Sequence, residues 1–171
     1  EPGEVALELR NCTVFDRKQD RIILDHVNIK LRKGEVVGLS GLMGAGRTEL
    51  ALSVFGNTPK YKLLEGEIYV EGRKVDFKTP RDATKAGLAY VSEDRKHNGL
   101  ILIQDIKFNV TIANLEKLLE GNVVNENEEI IQVNDYKKSL NIKAPSIKQL
   151  VGNLSGGNQQ KVCLARAITM D

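Results

Sequence analysis

The chain has 171 residues, 41% of them hydrophobic, and 25 Lys and Arg against 23 Asp and Glu give a formal net charge of +2. That is enough chain for one domain with a real core, and the balance excludes the clustered basic face of a nucleic-acid or anionic-membrane binder. Two cysteines, Cys12 and Cys163, lie far apart in apolar surroundings and read as core thiols of a reducing compartment, and no apolar run nears membrane-span length.

Glu1-Pro2-Gly3-Glu4 reads as the tail of a linker. Val5-Ala6-Leu7-Glu8-Leu9 starts an apolar alternation, and Val27-Asn28-Ile29-Lys30-Leu31-Arg32 alternates strictly before a turn at Lys33-Gly34. Antiparallel strands are therefore expected first. The apolar run Val36-Val37-Gly38-Leu39 then feeds Gly41-Leu42-Met43-Gly44-Ala45-Gly46-Arg47-Thr48, followed by the helical stretch Glu49 to Phe55 with Gly56 as its stop. Strand, glycine loop and helix in this order form a phosphate cradle. Bare backbone at Gly41, Gly44 and Gly46 can wrap an anion, the helix start points N–H groups at it, and Thr48 supplies a hydroxyl for Mg²⁺. The spacing fits G-x-x-x-x-G-K-[ST] except that Arg47 replaces Lys. By itself the stretch also fits an ordinary β-α connection.

Beyond Gly56, Gly66 to Val75 reads as a second hairpin turning at Glu71-Gly72. Thr79-Pro80-Arg81-Asp82 opens a short helix that Gly87 closes, and Leu88-Ala89-Tyr90-Val91 is expected as a buried strand delivering Ser92-Glu93-Asp94-Arg95-Lys96. That charged cluster is either a ligand-contacting loop at a strand end or a solvated turn. Helical patterns follow from Asn109 to Leu119 and from Glu126 to Leu140. The second has acids first, bases last and a stripe of Ile130, Val133 and Leu140, and its charges read as a solvated face.

Leu154-Ser155-Gly156-Gly157-Asn158-Gln159-Gln160-Lys161 precedes a helix with Val162, Ala165 and Ile168 at helical spacing. Ser155 is placed to cap it, and two glycines beside the cap leave N–H groups uncovered at a positive helix end. Two such helix ends in one chain suggest a composite phosphate site.

These motifs together resemble the nucleotide-binding domains of ABC transporters. More narrowly, the Gly41 loop, Val91 to Lys96 and Ser155 to Lys161 look like the second, C-terminal ATP-binding domain of the tandem ATPase subunit of bacterial ribose, galactose and xylose importers. The resemblance implies an α/β P-loop fold of ABC ATPase type, with an antiparallel subdomain and P-loop core (1–107), a helical insert (108–150) and a signature helix (151–171). It implies that Gly41, Gly44, Ala45, Gly46, Arg47 and Thr48 hold ATP, that Thr48 and Glu93 serve Mg²⁺, and that Phe15 stacks on adenine. It further implies that Ser155, Gly156, Gly157 and Gln159 meet the nucleotide of a second ATP-binding domain, in the same subunit or a partner copy. The insert would contact membrane permease subunits, placing the protein on the inner face of the cell membrane, and nucleic acid is not an expected partner.

Two departures from that pattern point to weakened hydrolysis: Arg47 for lysine, and Glu93 where the family places glutamine. The sequence also ends at Asp171, before the strand that in the family bears the Mg²⁺-binding Asp and the water-orienting Glu, and it contains no switch histidine, since His26 and His97 stand elsewhere. The expectation is a fragment truncated before that strand, binding nucleotide without turning it over and prone to association or domain swapping through an exposed apolar edge. The alternative is a catalytically degenerate nucleotide-binding module with a regulatory or assembly role.

Overall fold

A strand paired on both sides dominates the first half of the molecule. The computed structural model describes residues 2–56 and 59–170, and their contacts divide into two units, Glu1–Leu88 and Ala89–Asp171.

In the first unit β1 (Val5–Asp16) lies between β2 (Arg21–Arg32) and β3 (Tyr61–Val70), with β4 (Arg73–Val75) beyond β3, all antiparallel. The expected alternation is present, and the turn at Glu71-Gly72 takes positive φ at both residues, as a tight hairpin requires. The hairpin is longer than its sequence signal, because β3 starts at Tyr61, five residues before Gly66. Gly66 sits mid-strand opposite a bulge at Asn11 and Cys12. Its φ is +97°, and a Cβ there would lie 2.4 Å from the Asn11 carbonyl oxygen. A helix, α1 (Arg47–Val54), buries Leu50 and Val54, four residues apart, in a core shared with Leu9, Cys12 and Ile68. The unit closes with α2 (Pro80–Lys85). Here Thr79 and Asp82 form a reciprocal capping box, and the Thr79 hydroxyl and N–H hold the Asp82 carboxyl below its usual range.

Two expected strands form no ladder among the described residues. Val36 is 99% exposed, Val37 and Leu39 are also exposed, and residues 88–91 are not part of a strand. An apolar run becomes a strand only where neighbouring strands take up its backbone groups, and none described flanks either run.

The second unit is helical. Asp105 accepts the Phe108 N–H at 2.7 Å and so starts α3 (Ile106–Thr111) one turn before the expected Asn109. A 3₁₀ turn (Leu115–Leu118) replaces the end of the expected helix, where the Asn114 side chain instead donates to the Thr169 carbonyl. A minimal ribbon of β5 (Leu119–Glu120) and β6 (Val123–Val124) leads to α4 (Glu126–Ser139), capped by Asn125. The last helix is α5 (Gly156–Ile168). Ile106, Val110, Val133, Val151, Val162 and Ala165 form its core with α3 and α4. Ile168, expected on the buried stripe of α5, is exposed, and Cys163 is buried instead.

Glu129 corrects the reading of α4 as carrying only solvated charge. Its carboxylate is buried, accepting from the Thr111 hydroxyl and from Lys107 Nζ, each at 2.7 Å. The ion pair raises the Lys107 ammonium above its ordinary value. No described helix is long and apolar enough to cross a membrane.

Two stability outcomes follow. Gly66→Ala should lower unfolding free energy by more than about 2 kcal/mol, because it meets backbone and also demands a left-handed φ. Glu129→Ala should lower it by about 2 kcal/mol through the lost charged hydrogen bonds. Urea titration of each variant reads both.

Candidate functional site

The helix starts of the two units differ in how their first N–H groups are met. The first N–H groups of a helix have no partner in the preceding turn and require an outside acceptor. In α2, α3 and α4 the side chains of Thr79, Asp105 and Asn125 provide one. At the starts of α1 and α5 no side chain does. Those two helices are the ones that follow the glycine motifs.

In the first unit the loop turns at Leu42, whose carbonyl accepts the Ala45 N–H, and residues 41–45 are exposed. Gly44 and Gly46 both adopt left-handed φ, +80° and +82°, and nothing lies within 4 Å of the position of a Cβ on Gly44. Gly46 is constrained twice, by its φ and because a Cβ would approach Leu24 Cδ2 of β2 to 2.8 Å. Its carbonyl accepts the Leu50 N–H at 2.8 Å, so it is the N-cap of α1. Arg47 reaches back to donate from Nη1 to the Gly41 carbonyl oxygen at 2.6 Å, closing the loop with one of its five donors. The remaining four leave the charge able to meet an anion. Thr48 follows, half-buried in the first turn of α1. Phe15 is half-buried on β1, in register with Ile22 and Lys62. Backbone donors, a guanidinium and a hydroxyl make a donor set suited to a polyphosphate with its metal.

In the second unit Glu93 is exposed in the stretch that leads to a π-helical turn (Arg95–Gly99). Asp94 caps that turn by accepting the His97 N–H, and the His97 ring and N–H keep its carboxyl below the usual range. Ser155 occupies the N-cap position of α5 as expected, but its hydroxyl accepts from Asn158 Nδ2 at 2.9 Å and bonds no backbone N–H of the first turn. Gly157 has open space around it. Gln159, expected to face nucleotide, is buried. Its Nε2 donates to the Val151 carbonyl at 3.1 Å and its Oε1 accepts from Arg95 Nε at 3.0 Å. The amide is therefore committed within the chain.

Sequence reasoning missed this Arg95 link and the Leu24 contact on Gly46. Residues 64 apart that meet through a side chain leave no local spacing to read. Among the described residues no cluster of His, Cys, Asp and Glu could hold a metal by itself.

A family model described as "ABC transporter" matches residues 24–171. The chain is 48% identical over 171 residues to the xylose import ATP-binding protein XylG of Thermoanaerobacter pseudethanolicus, spanning 99% of this chain and 34% of that protein. It is 48% identical over 167 residues to the L-arabinose transport ATP-binding protein AraG of Geobacillus stearothermophilus, spanning 97% of this chain and 32% of that protein. It is 43% identical to the ribose import ATP-binding protein RbsA of Clostridium tetani, spanning 97% and 31%. The chain thus spans about a third of the length of these relatives. Among solved structures, a nucleotide-free ATP-binding cassette from an ABC transporter superposes with a TM-score of 0.75 at 20% identity, covering 97% of this chain and 65% of that one. An Atm1-family ABC exporter with ATP bound gives 0.73 at 23%, covering 100% and 28%.

Proposed function

Since the chain belongs to the ABC transporter family, we propose that it is an ATP-binding domain of a monosaccharide importer, holding MgATP on Gly41–Thr48 and offering Ser155–Gly157 to a second nucleotide. The observation that carries this reading is the pair of helix starts, α1 and α5, that no side chain caps. The sugar class is proposed from relatives named for xylose, arabinose and ribose import.

On this reading the N–H groups at the start of α1 donate to phosphate oxygens, and the left-handed glycines keep Cβ atoms out of the way. Arg47 holds a phosphate oxygen with the donors that Gly41 does not use. Thr48 offers its hydroxyl to Mg²⁺. MgATP supplies the phosphoryl group whose charge these donors offset. In the second unit the glycine turn of α5 gives its N–H groups to a nucleotide held by a paired ATP-binding domain. The helical insert meets permease subunits, through which nucleotide binding is coupled to transport.

A second reading is a nucleotide-binding module without turnover, favoured by the Arg47 bond to Gly41. A planar guanidinium anchored at the loop mouth is a poorer substitute for a compact ammonium during phosphoryl transfer.

Equilibrium binding of MgATP tests the first site. Wild type should bind saturably, Gly46→Val should abolish binding, and Arg47→Ala should weaken it roughly 10- to 100-fold, as expected for loss of a charge-assisted hydrogen bond. Absence of wild-type binding would refute the site. For the second site, Ser155→Ala in the assembled transporter should lower the steady-state ATPase rate while leaving MgATP binding at the Gly41 loop unchanged. An unchanged rate would remove Ser155 from the phosphate-binding turn.

A further inference from the structure

One side chain of the second unit is placed against the start of α5 from outside that helix. Arg95, at the head of the π-helical turn, donates through Nε to Gln159 Oε1 at 3.0 Å. Gln159 is buried and anchored in turn to the Val151 carbonyl, so the guanidinium is held by a fixed acceptor rather than a mobile one. Its Nη2 lies 2.7 Å from where a Cβ on Gly156 would stand, so the fork rests on the bare backbone of the first turn. The tail of the same π-helical turn is also seated on α5, because a Cβ on Gly99 would lie 3.2 Å from Cys163 Sγ. Among the described residues no carboxylate pairs with Arg95. A cation at the positive end of a helix gains nothing from the dipole, so its position is explained by the bond it makes and not by charge attraction.

We propose that Arg95 is a positioning residue for the phosphate-binding turn Ser155–Gly157, fixing the first turn of α5 through its Nε bond to Gln159 and its contact with Gly156. The turn from Arg95 to Gly99 and the start of α5 then move as one body, so that a displacement of the Glu93 to Lys96 loop is passed to the N–H groups that face the second nucleotide. Gly156 has a role inside the chain as well as toward a ligand: a side chain there would push the fork away and break its hold on Gln159. The inference rests on the proposed reading of Ser155–Gly157.

The test uses the full ATP-binding subunit assembled with its membrane partner in vesicles. Arg95→Ala, Arg95→Lys, Gln159→Leu and Gln159→Glu are compared by ATPase kcat and KM, by MgATP Kd at the Gly41 loop and by Tm. Arg95→Ala and Gln159→Leu should each lower kcat by up to about 100-fold, in line with the cost of misplacing a group by roughly 1 Å, with Kd at the Gly41 loop unchanged; Gln159→Leu also lowers Tm, because it leaves the Val151 carbonyl without its donor. The double variant should be no worse than either single one. Arg95→Lys, which keeps the charge and loses the Nε fork, should behave like Arg95→Ala, whereas Gln159→Glu, which keeps an acceptor for Nε but loses the donor to the Val151 carbonyl, should lose less kcat than Gln159→Leu. Wild-type kcat in Arg95→Ala or Arg95→Lys, or losses that multiply in the double variant, would overturn the positioning role. Failure of the wild-type subunit to bind MgATP would instead overturn the reading beneath it, and the positioning role with it.

Discussion

Backbone N–H groups at the start of a helix must find an acceptor, and the way the chain meets that demand separates α2, α3 and α4 from α1 and α5. Thr79, Asp105 and Asn125 satisfy α2, α3 and α4 from within. The glycine turns before α1 and α5 do not. At Gly46 the N-cap has no side chain to offer, and at Ser155 the hydroxyl is drawn aside by Asn158. Donors left uncovered at a positive helix end are a standing preference for an anion, and two of them in one chain match a family whose members bind nucleotide.

An open glycine turn is useful only if its mounting is stiff, because glycine adds backbone freedom instead of removing it. Each unit answers this differently. In the first, Leu50 and Val54 of α1 are buried in the core of the antiparallel sheet, and Leu24 of β2 presses against the bare face of Gly46. In the second, α5 shares a core with α3 and α4, where the buried Glu129 carboxylate ties α4 to Lys107 and Thr111 of α3. Leaving a charge unpaired there would be costly, which favours a single arrangement of those helices.

Most of the local structure was legible because its causes are local. Alternation predicted β1 and the second half of β2, Glu71-Gly72 predicted its turn, and the Thr79-Pro80 start and the acid-to-base polarity of α4 predicted their helices almost to the residue. The glycine motifs located the starts of α1 and α5, but not that Asn158 would draw the Ser155 hydroxyl away from capping α5. What stayed hidden depends on distant partners. Val36–Leu39 has the composition of a buried strand, yet ladder formation is settled by neighbours. Asp105 displaced the start of α3 by competing for the Phe108 N–H. Glu129 has the sequence context of a dipole-facing surface acid and becomes buried only because Lys107 and Thr111 reach it. Gln159 looks like a ligand-facing amide until Val151 and Arg95 occupy both of its ends.

The two thiols fall one to a unit. Cys12 belongs to the sheet core and Cys163 to the helical core, both are buried and unpaired, and burial pushes both above the ordinary thiol range. A thiol in that state reacts only when its surroundings open, so its rate of modification measures the opening of its own core. The chain therefore carries two intrinsic reporters of local unfolding, and the order in which they become reactive under mild denaturant gives the relative stability of sheet and helices without any added label.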